Sequence, residues 1–130
     1  MADVNRGNRP LSPFMIGPYY RPQWTSMSSI FVRITALVCL GLAVFVVWWL
    51  LAASSSSGGA FGFIDGLMRS WLGDLVLFFG TGALLYHMLG RLRHVIWDFG
   101  YFLDVATSEK MAKGMVGISV AGALLVALIF

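Results

Sequence analysis

Ile34–Ala53 is a run of twenty residues without a single charge. A helix rises about 1.5 Å per residue, so the run covers about 30 Å, the hydrocarbon thickness of a bilayer. Two more runs follow it. Leu75–Gly90 lies between Asp74 and Arg91, and a helix from about Trp71 to Trp97 is long enough to span with some tilt; Gly114–Phe130 is the third. Lipid offers no partner for free backbone groups and three segments cannot close a barrel, so each run has to be a helix. The expected fold is therefore an all-α membrane protein with three transmembrane helices. Its parts are an N-terminal arm (1–28), helix one (29–53), an outer loop (54–70), helix two (71–98), an inner loop (99–113) and helix three (114–130). Only 12% of the residues are charged, about half the usual share of a soluble domain, which excludes an ordinary globular or disordered chain. A chain of 130 residues leaves no room for a separate catalytic domain, and the lone Cys39 excludes an internal disulfide or a cysteine-ligated cluster.

The loops differ in charge. Arg6, Arg9, Arg21 and Arg33 precede the first span; Arg91, Arg93, Lys110 and Lys113 lie between the second and third; Arg69 alone lies between the first and second. Eight of the nine basic residues thus share one side, and the positive-inside rule makes that side cytoplasmic, with the N-terminus inside. The net charge of +3 is read as a topology signal, and no nucleic-acid partner is expected. Four prolines (Pro10, Pro13, Pro18, Pro22) predict an extended arm over 1–28. The arm lacks the apolar core of a secretory signal, and Asp3 with few Arg and Ser argues against a mitochondrial transit peptide. Ser54–Gly59 is expected to be a flexible connector.

The most informative segment is Tyr86-His-Met-Leu-Gly-Arg-Leu-Arg-His-Val-Ile-Trp-Asp98. At about 100° per residue, His87, Arg91, His94 and Asp98 fall within about 60° of one another, and Gly80 and Ala83 continue the stripe away from the charged end. An ionisable residue inside an apolar run is a functional candidate. His87 has two readings: a hydrogen bond to a neighbouring helix, or a metal ligand. Gly80, Ala83 and Gly90 predict a groove in which a flat macrocycle approaches the backbone, and neutral imidazole is a common haem ligand; small residues also serve plain helix packing. His87 and His94 are the chain's two histidines, seven residues and about 10.5 Å apart along one helix face. They cannot clamp opposite faces of one haem, so the second ligand of a six-coordinate haem has to come from another chain. Arg91 and His94 share the His87 stripe and suit anionic groups such as haem propionates; Asp98 suits a counter-ion or a proton-handling role. Arg93 reads as an interfacial anchor with a snorkelling side chain, and Trp97 and Tyr101 as an aromatic belt. On the first span, Ser29 and Arg33 are four residues apart and share a face. They read either as a helix cap with an interfacial arginine, or as a hydroxyl and a guanidinium placed to bond a quinone carbonyl and a propionate.

Arg9-Pro-Leu-Ser-Pro, Tyr20-Arg-Pro-Gln, Ser28-Ser-Ile-Phe-Val-Arg-Ile-Thr35 and His87-(six residues)-His94-Val-Ile-Trp-Asp-Phe-Gly100, in that order, resemble the cytochrome b subunits of succinate dehydrogenase, over nearly the whole chain. The resemblance implies one of the two membrane anchors of respiratory complex II. With a second small anchor, such a subunit forms a haem-containing helical bundle that holds the iron–sulfur and flavoprotein subunits on the cytoplasmic face of a bacterial inner membrane. It implies electron transfer from succinate to ubiquinone, with no catalysis by the isolated chain. It also implies haem b ligated by His87 and by a histidine of the second anchor, a ubiquinone site at Ser29 and Arg33, and positions at the haem edge and quinone entrance at His94 and Asp98. An anchor of a related fumarate reductase and a non-redox membrane scaffold are the alternatives. The family commonly reads Ser-Ile-x-His-Arg-x-Thr-Gly where this chain has Val32 for the histidine and Ala36 for the glycine, and Phe14 stands where a histidine often follows Ser-Pro.

Overall fold

The computed structural model describes residues 22–55 and 58–129, which form four helices and, among the described residues, no strand. They are α1 (Trp24–Ser54), α2 (Gly58–Met68), α3 (Trp71–Asp98) and α4 (Val105–Ile129). α1, α3 and α4, of 31, 28 and 25 residues, are long and apolar enough to cross a membrane. The chain is thus an all-helical protein with three candidate membrane spans.

Local chemistry sets the ends. α1 starts after extended Gln23. It closes at Ser54 and Ser55, whose hydroxyls donate back to the Leu51 and Ala52 carbonyls of the last turn (both 2.8 Å). Ser70 caps α3 by accepting from the Gly73 N–H at 3.4 Å, and Asp74 adds negative charge to the first turn. Gly73 is forced by space: a Cβ there would collide with the Met68 backbone. Before α4, the Asp104 carboxylate accepts from the Thr107 N–H at 2.8 Å. That bond, first among its causes, holds the carboxyl below the usual value.

α3 packs antiparallel against both α1 and α4, which also touch each other. Glycines set how closely they approach. Gly80 faces Leu42 and Gly90 faces Val32 on the α1 side; Gly82 faces Ala123, and Gly122 faces Leu85, on the α4 side. The buried core is a small cluster of Val32, Tyr86 and Met115, with Leu89 packed against it, at the end that carries the basic residues. Elsewhere, Ile64 of α2 apart, most of the large apolar side chains point outward, as Leu37 (71% exposed) and Leu128 (85%) do. Such a surface suits lipid or another membrane subunit.

Three limits differ from those expected. The arm expected over 1–28 is helical from Trp24, and its residues up to 21 lie outside those described. The outer loop contains α2, whose apolar residues Ala60, Phe63, Ile64 and Leu67 recur at helical spacing and bury Ile64 to 1% exposure. The inner loop shrinks because α4 starts at Val105. Ala106, Glu109, Lys110, Met111 and Ala112 are good helix formers, and a search for charge-free runs passes over the helix's extension beyond the bilayer.

Candidate functional site

At the basic end, a single turn of α1 meets α3 through polar bonds. Ser28 and Arg93 are both buried (3% and 4% exposed), and the Arg93 Nη1 donates to the Ser28 Oγ at 2.6 Å. The Ser28 hydroxyl passes its own hydrogen to the Thr25 carbonyl at 2.9 Å. The Tyr86 hydroxyl donates to the Ser28 carbonyl at 3.3 Å. The Arg93 guanidinium lies over the Trp97 ring, 4.1 Å from its centroid.

One turn further along α1, His87 Nδ1 lies 3.1 Å from the Val32 carbonyl oxygen. A carbonyl only accepts, so Nδ1 carries a hydrogen, an assignment made from the hydrogen-bond network. Nε2 then carries the lone pair, and it accepts from the Arg91 Nε at 3.3 Å. A carbonyl on one ring nitrogen, which leaves the lone pair on the other, is the arrangement typical of metal-ligating histidines; here Arg91 occupies that lone pair.

Of the residues expected in the site, His87 and Arg91 are joined directly. His94 is half-buried; its Nδ1 lies 2.7 Å from the Gly90 carbonyl of its own helix, and its ring stands edge-on to Trp97. Asp98 is exposed on the last turn of α3, Arg33 is exposed on α1, and Ser29 is half-buried beside Ser28. The predicted macrocycle groove does not stand as expected. A Cβ on Gly80 would come within 2.8 Å of Leu42, and one on Gly90 would run into Val32, so these two small residues serve the chain's own packing. The expected snorkelling of Arg93 is likewise replaced by burial.

Sequence reasoning missed Ser28, Tyr86 and Arg93 as partners. The signal was present: Tyr86, Gly90, Arg93 and Trp97 recur at helical spacing on α3, facing Ser28 and Val32, themselves four apart on α1. Among the described residues, no three His, Cys, Asp or Glu side chains gather as a metal site. An open cleft of about 480 Å³ lies between α3 and α4, lined by residues including Asp74, Phe78, Thr81 and Ala123; neither His87 nor Arg93 lines it.

Residues 5–126 match the family described as succinate dehydrogenase/fumarate reductase transmembrane subunit. The chain is 42% identical over 130 residues to the succinate dehydrogenase cytochrome b556 subunit of Paracoccus denitrificans, covering 100% of this chain and 98% of that protein. It is 32% identical over 127 residues to the succinate dehydrogenase cytochrome b560 subunit of Reclinomonas americana, covering 95% and 87%. Against the cytochrome b560 subunit of Marchantia polymorpha the identity is 34% over 104 residues, covering 76% and 74%.

Proposed function

Since this chain belongs to the family of succinate dehydrogenase/fumarate reductase transmembrane subunits, we propose that it is the cytochrome b anchor of a succinate:ubiquinone oxidoreductase. It binds haem b together with a second anchor subunit and helps to form the site where electrons from succinate reduce ubiquinone. The iron–sulfur and flavoprotein subunits dock at its basic, cytoplasmic end in a bacterial inner membrane. The relatives' succinate dehydrogenase names support this direction over fumarate reduction.

One observation carries the reading: the Val32 carbonyl holds the hydrogen of His87 on Nδ1, so the lone pair lies on Nε2, where Arg91 donates to it and where iron would take that donor's place. The donor set fits a haem shared between chains. The two histidines lie on one helix, so this chain would hold the iron through His87 and a histidine of the partner anchor would supply the second ligand. When bound, haem b supplies a one-electron carrier. The chain's own residues do the rest. Arg91 and His94 would hold the propionates, and Arg91 would give up its bond to the His87 Nε2 once that atom held the iron. Ser29 donates a hydrogen bond to a quinone carbonyl. Arg33 stabilises the negative charge that develops on the ring oxygens, and Asp98 hands on protons from the aqueous side.

The test is an optical and electron paramagnetic resonance spectrum of the purified complex, its subunits identified by mass. His87→Leu is expected to lose the low-spin six-coordinate signal. An unchanged bis-imidazole signal in that variant would overturn the assignment. Succinate oxidation survives the substitution if electrons pass directly from an iron–sulfur cluster to quinone.

A further inference from the structure

We infer that Ser28 and Arg93 are positioning residues for His87: the pair pins the first turns of α1 against α3 and so keeps the Val32 carbonyl on the imidazole Nδ1–H. The inference rests on the reading of His87 as an iron ligand and adds what holds that ligand in place.

The Val32 carbonyl is inside a helix, where it already takes part in the backbone ladder, and the Thr35 hydroxyl also donates to it at 3.0 Å. A further donor from a second helix reaches it only where the two helices lie close and in register. Closeness comes from Gly90, against whose backbone the Val32 side chain packs. That contact is apolar and non-directional, so by itself it permits sliding and rotation. Direction comes from the polar bonds one turn away. The Arg93 Nη1 donates to the Ser28 Oγ at 2.6 Å, the Ser28 Oγ donates to the Thr25 carbonyl, and Tyr86 donates to the Ser28 carbonyl. Arg93 itself lies over the Trp97 ring. Ser28 and Val32 are four residues apart on one face of a continuous helix, so a displacement at one is carried to the other. The His87 bond, at 3.1 Å, is sensitive to a shift of a few tenths of an ångström.

The burial of Arg93 supports a directional role. Its Nε and Nη2 are buried without a hydrogen-bond partner among the described residues, which makes the side chain expensive to keep where an apolar residue would pack. What it makes are the bond to Ser28 and the stack on Trp97.

The consequence is electronic. A carbonyl accepting from Nδ1–H makes the ring a stronger donor through Nε2, which favours the oxidised iron and lowers the midpoint potential. Loosening the bond raises it. Removing Arg93 outright would also delete a positive charge, which moves the potential the opposite way. The informative variant is therefore the charge-neutral Ser28→Ala.

The experiment is a redox titration of haem b in the intact complex, read optically and by the low-spin resonance line, with haem content measured alongside. Ser28→Ala is expected to raise the midpoint and shift the line at unchanged haem content, and Ser28→Thr, which keeps the hydroxyl, to restore both toward wild type. A Ser28→Ala complex with full haem content and the wild-type midpoint and line would overturn the inference. If Ser28→Ala does not assemble, the near-isosteric Ser28→Cys carries the same test. It keeps the volume and the charge of the site and replaces the hydroxyl acceptor by a weakly accepting sulfur, so an unshifted midpoint there would overturn the inference as well. A His87→Leu complex with the wild-type signal would instead remove the reading of His87 on which all this stands.

Discussion

Ser28 turns inward to Arg93, while Ser29, about 100° further round α1, stays half-buried on the face it shares with Arg33. The two hydroxyls therefore suit different work: one ties helices together, and the other is available to a bound molecule. Quinone reduction takes up protons, so its site belongs near water on the side where electrons arrive, and Ser29 and Arg33 lie at the basic end of α1. Losing one hydrogen bond to a charged intermediate costs about 1.5–3 kcal/mol, or roughly 10- to 100-fold in rate. Ser29→Ala is thus expected to depress quinone reductase activity by that factor, while succinate oxidation by a soluble dye that accepts electrons upstream stays near normal. Equal loss of both activities would give Ser29 a folding role instead. The contrast also shows what the sequence carried at this scale. Spacing put Ser29 with Arg33 and His87 with Arg91. It did not show that Ser28 faces Arg93, because a contact between residues 65 apart depends on how two helices are paired and rotated.

Gly80, Gly82, Gly90 and Gly122 place the three long helices against one another, and the structure says which of them tolerate a side chain least. At Gly90 a Cβ would run into Val32, a β-branched residue with little rotamer freedom, and would also meet the Met115 methyl at 3.3 Å. Gly90→Ala is expected to destabilise the chain by about 1–3 kcal/mol, as overpacking does. Because it pushes α1 from α3, it also weakens the Val32 bond to His87. Gly41 and Gly117 face open space, so alanine there is expected to be neutral or slightly stabilising. Thermal melts of the complex, with haem absorbance as a second probe, check the pair; equal behaviour of Gly90→Ala and Gly41→Ala would contradict the packing argument. The spans themselves were legible because a charge-free run of the right length has few alternatives in lipid. The water-side structure was not. α2 starts in a Gly/Ser stretch of poor helix formers and is held by packing, including the stack of Phe61 on Trp49 (centroids 6.3 Å apart). The first turns of α4 carry charges and are fixed by the Asp104 cap. Neither leaves a mark in a search for uncharged runs.

For the whole molecule, the distribution of charge sets the direction in which it threads the membrane. Arg33, Arg91, Arg93, Lys110 and Lys113 gather where the N-terminal end of α1, the C-terminal end of α3 and the N-terminal end of α4 meet, and Lys113 lies 5.6 Å from the Trp24 ring centroid. Arg69, the one basic residue between α1 and α3, is neutralised by Asp65, whose Oδ2 lies 2.8 Å from its Nε. Acidic partners count little in orientation, so the comparison is one arginine at this end against those five basic residues at the other. The basic end is therefore expected to face the cytoplasm, the side on which the proposed site would receive electrons and protons. The sole native cysteine, Cys39, lies within α1 and can be replaced by alanine. Single cysteines are then placed at the exposed positions Ser55 and Lys110, on opposite sides of the bundle. In intact cells, a membrane-impermeant maleimide should label Ser55→Cys and leave Lys110→Cys untouched until the membrane is broken. The reverse pattern would invert the orientation and, with it, separate the proposed quinone and haem residues from the subunits that are to deliver their electrons.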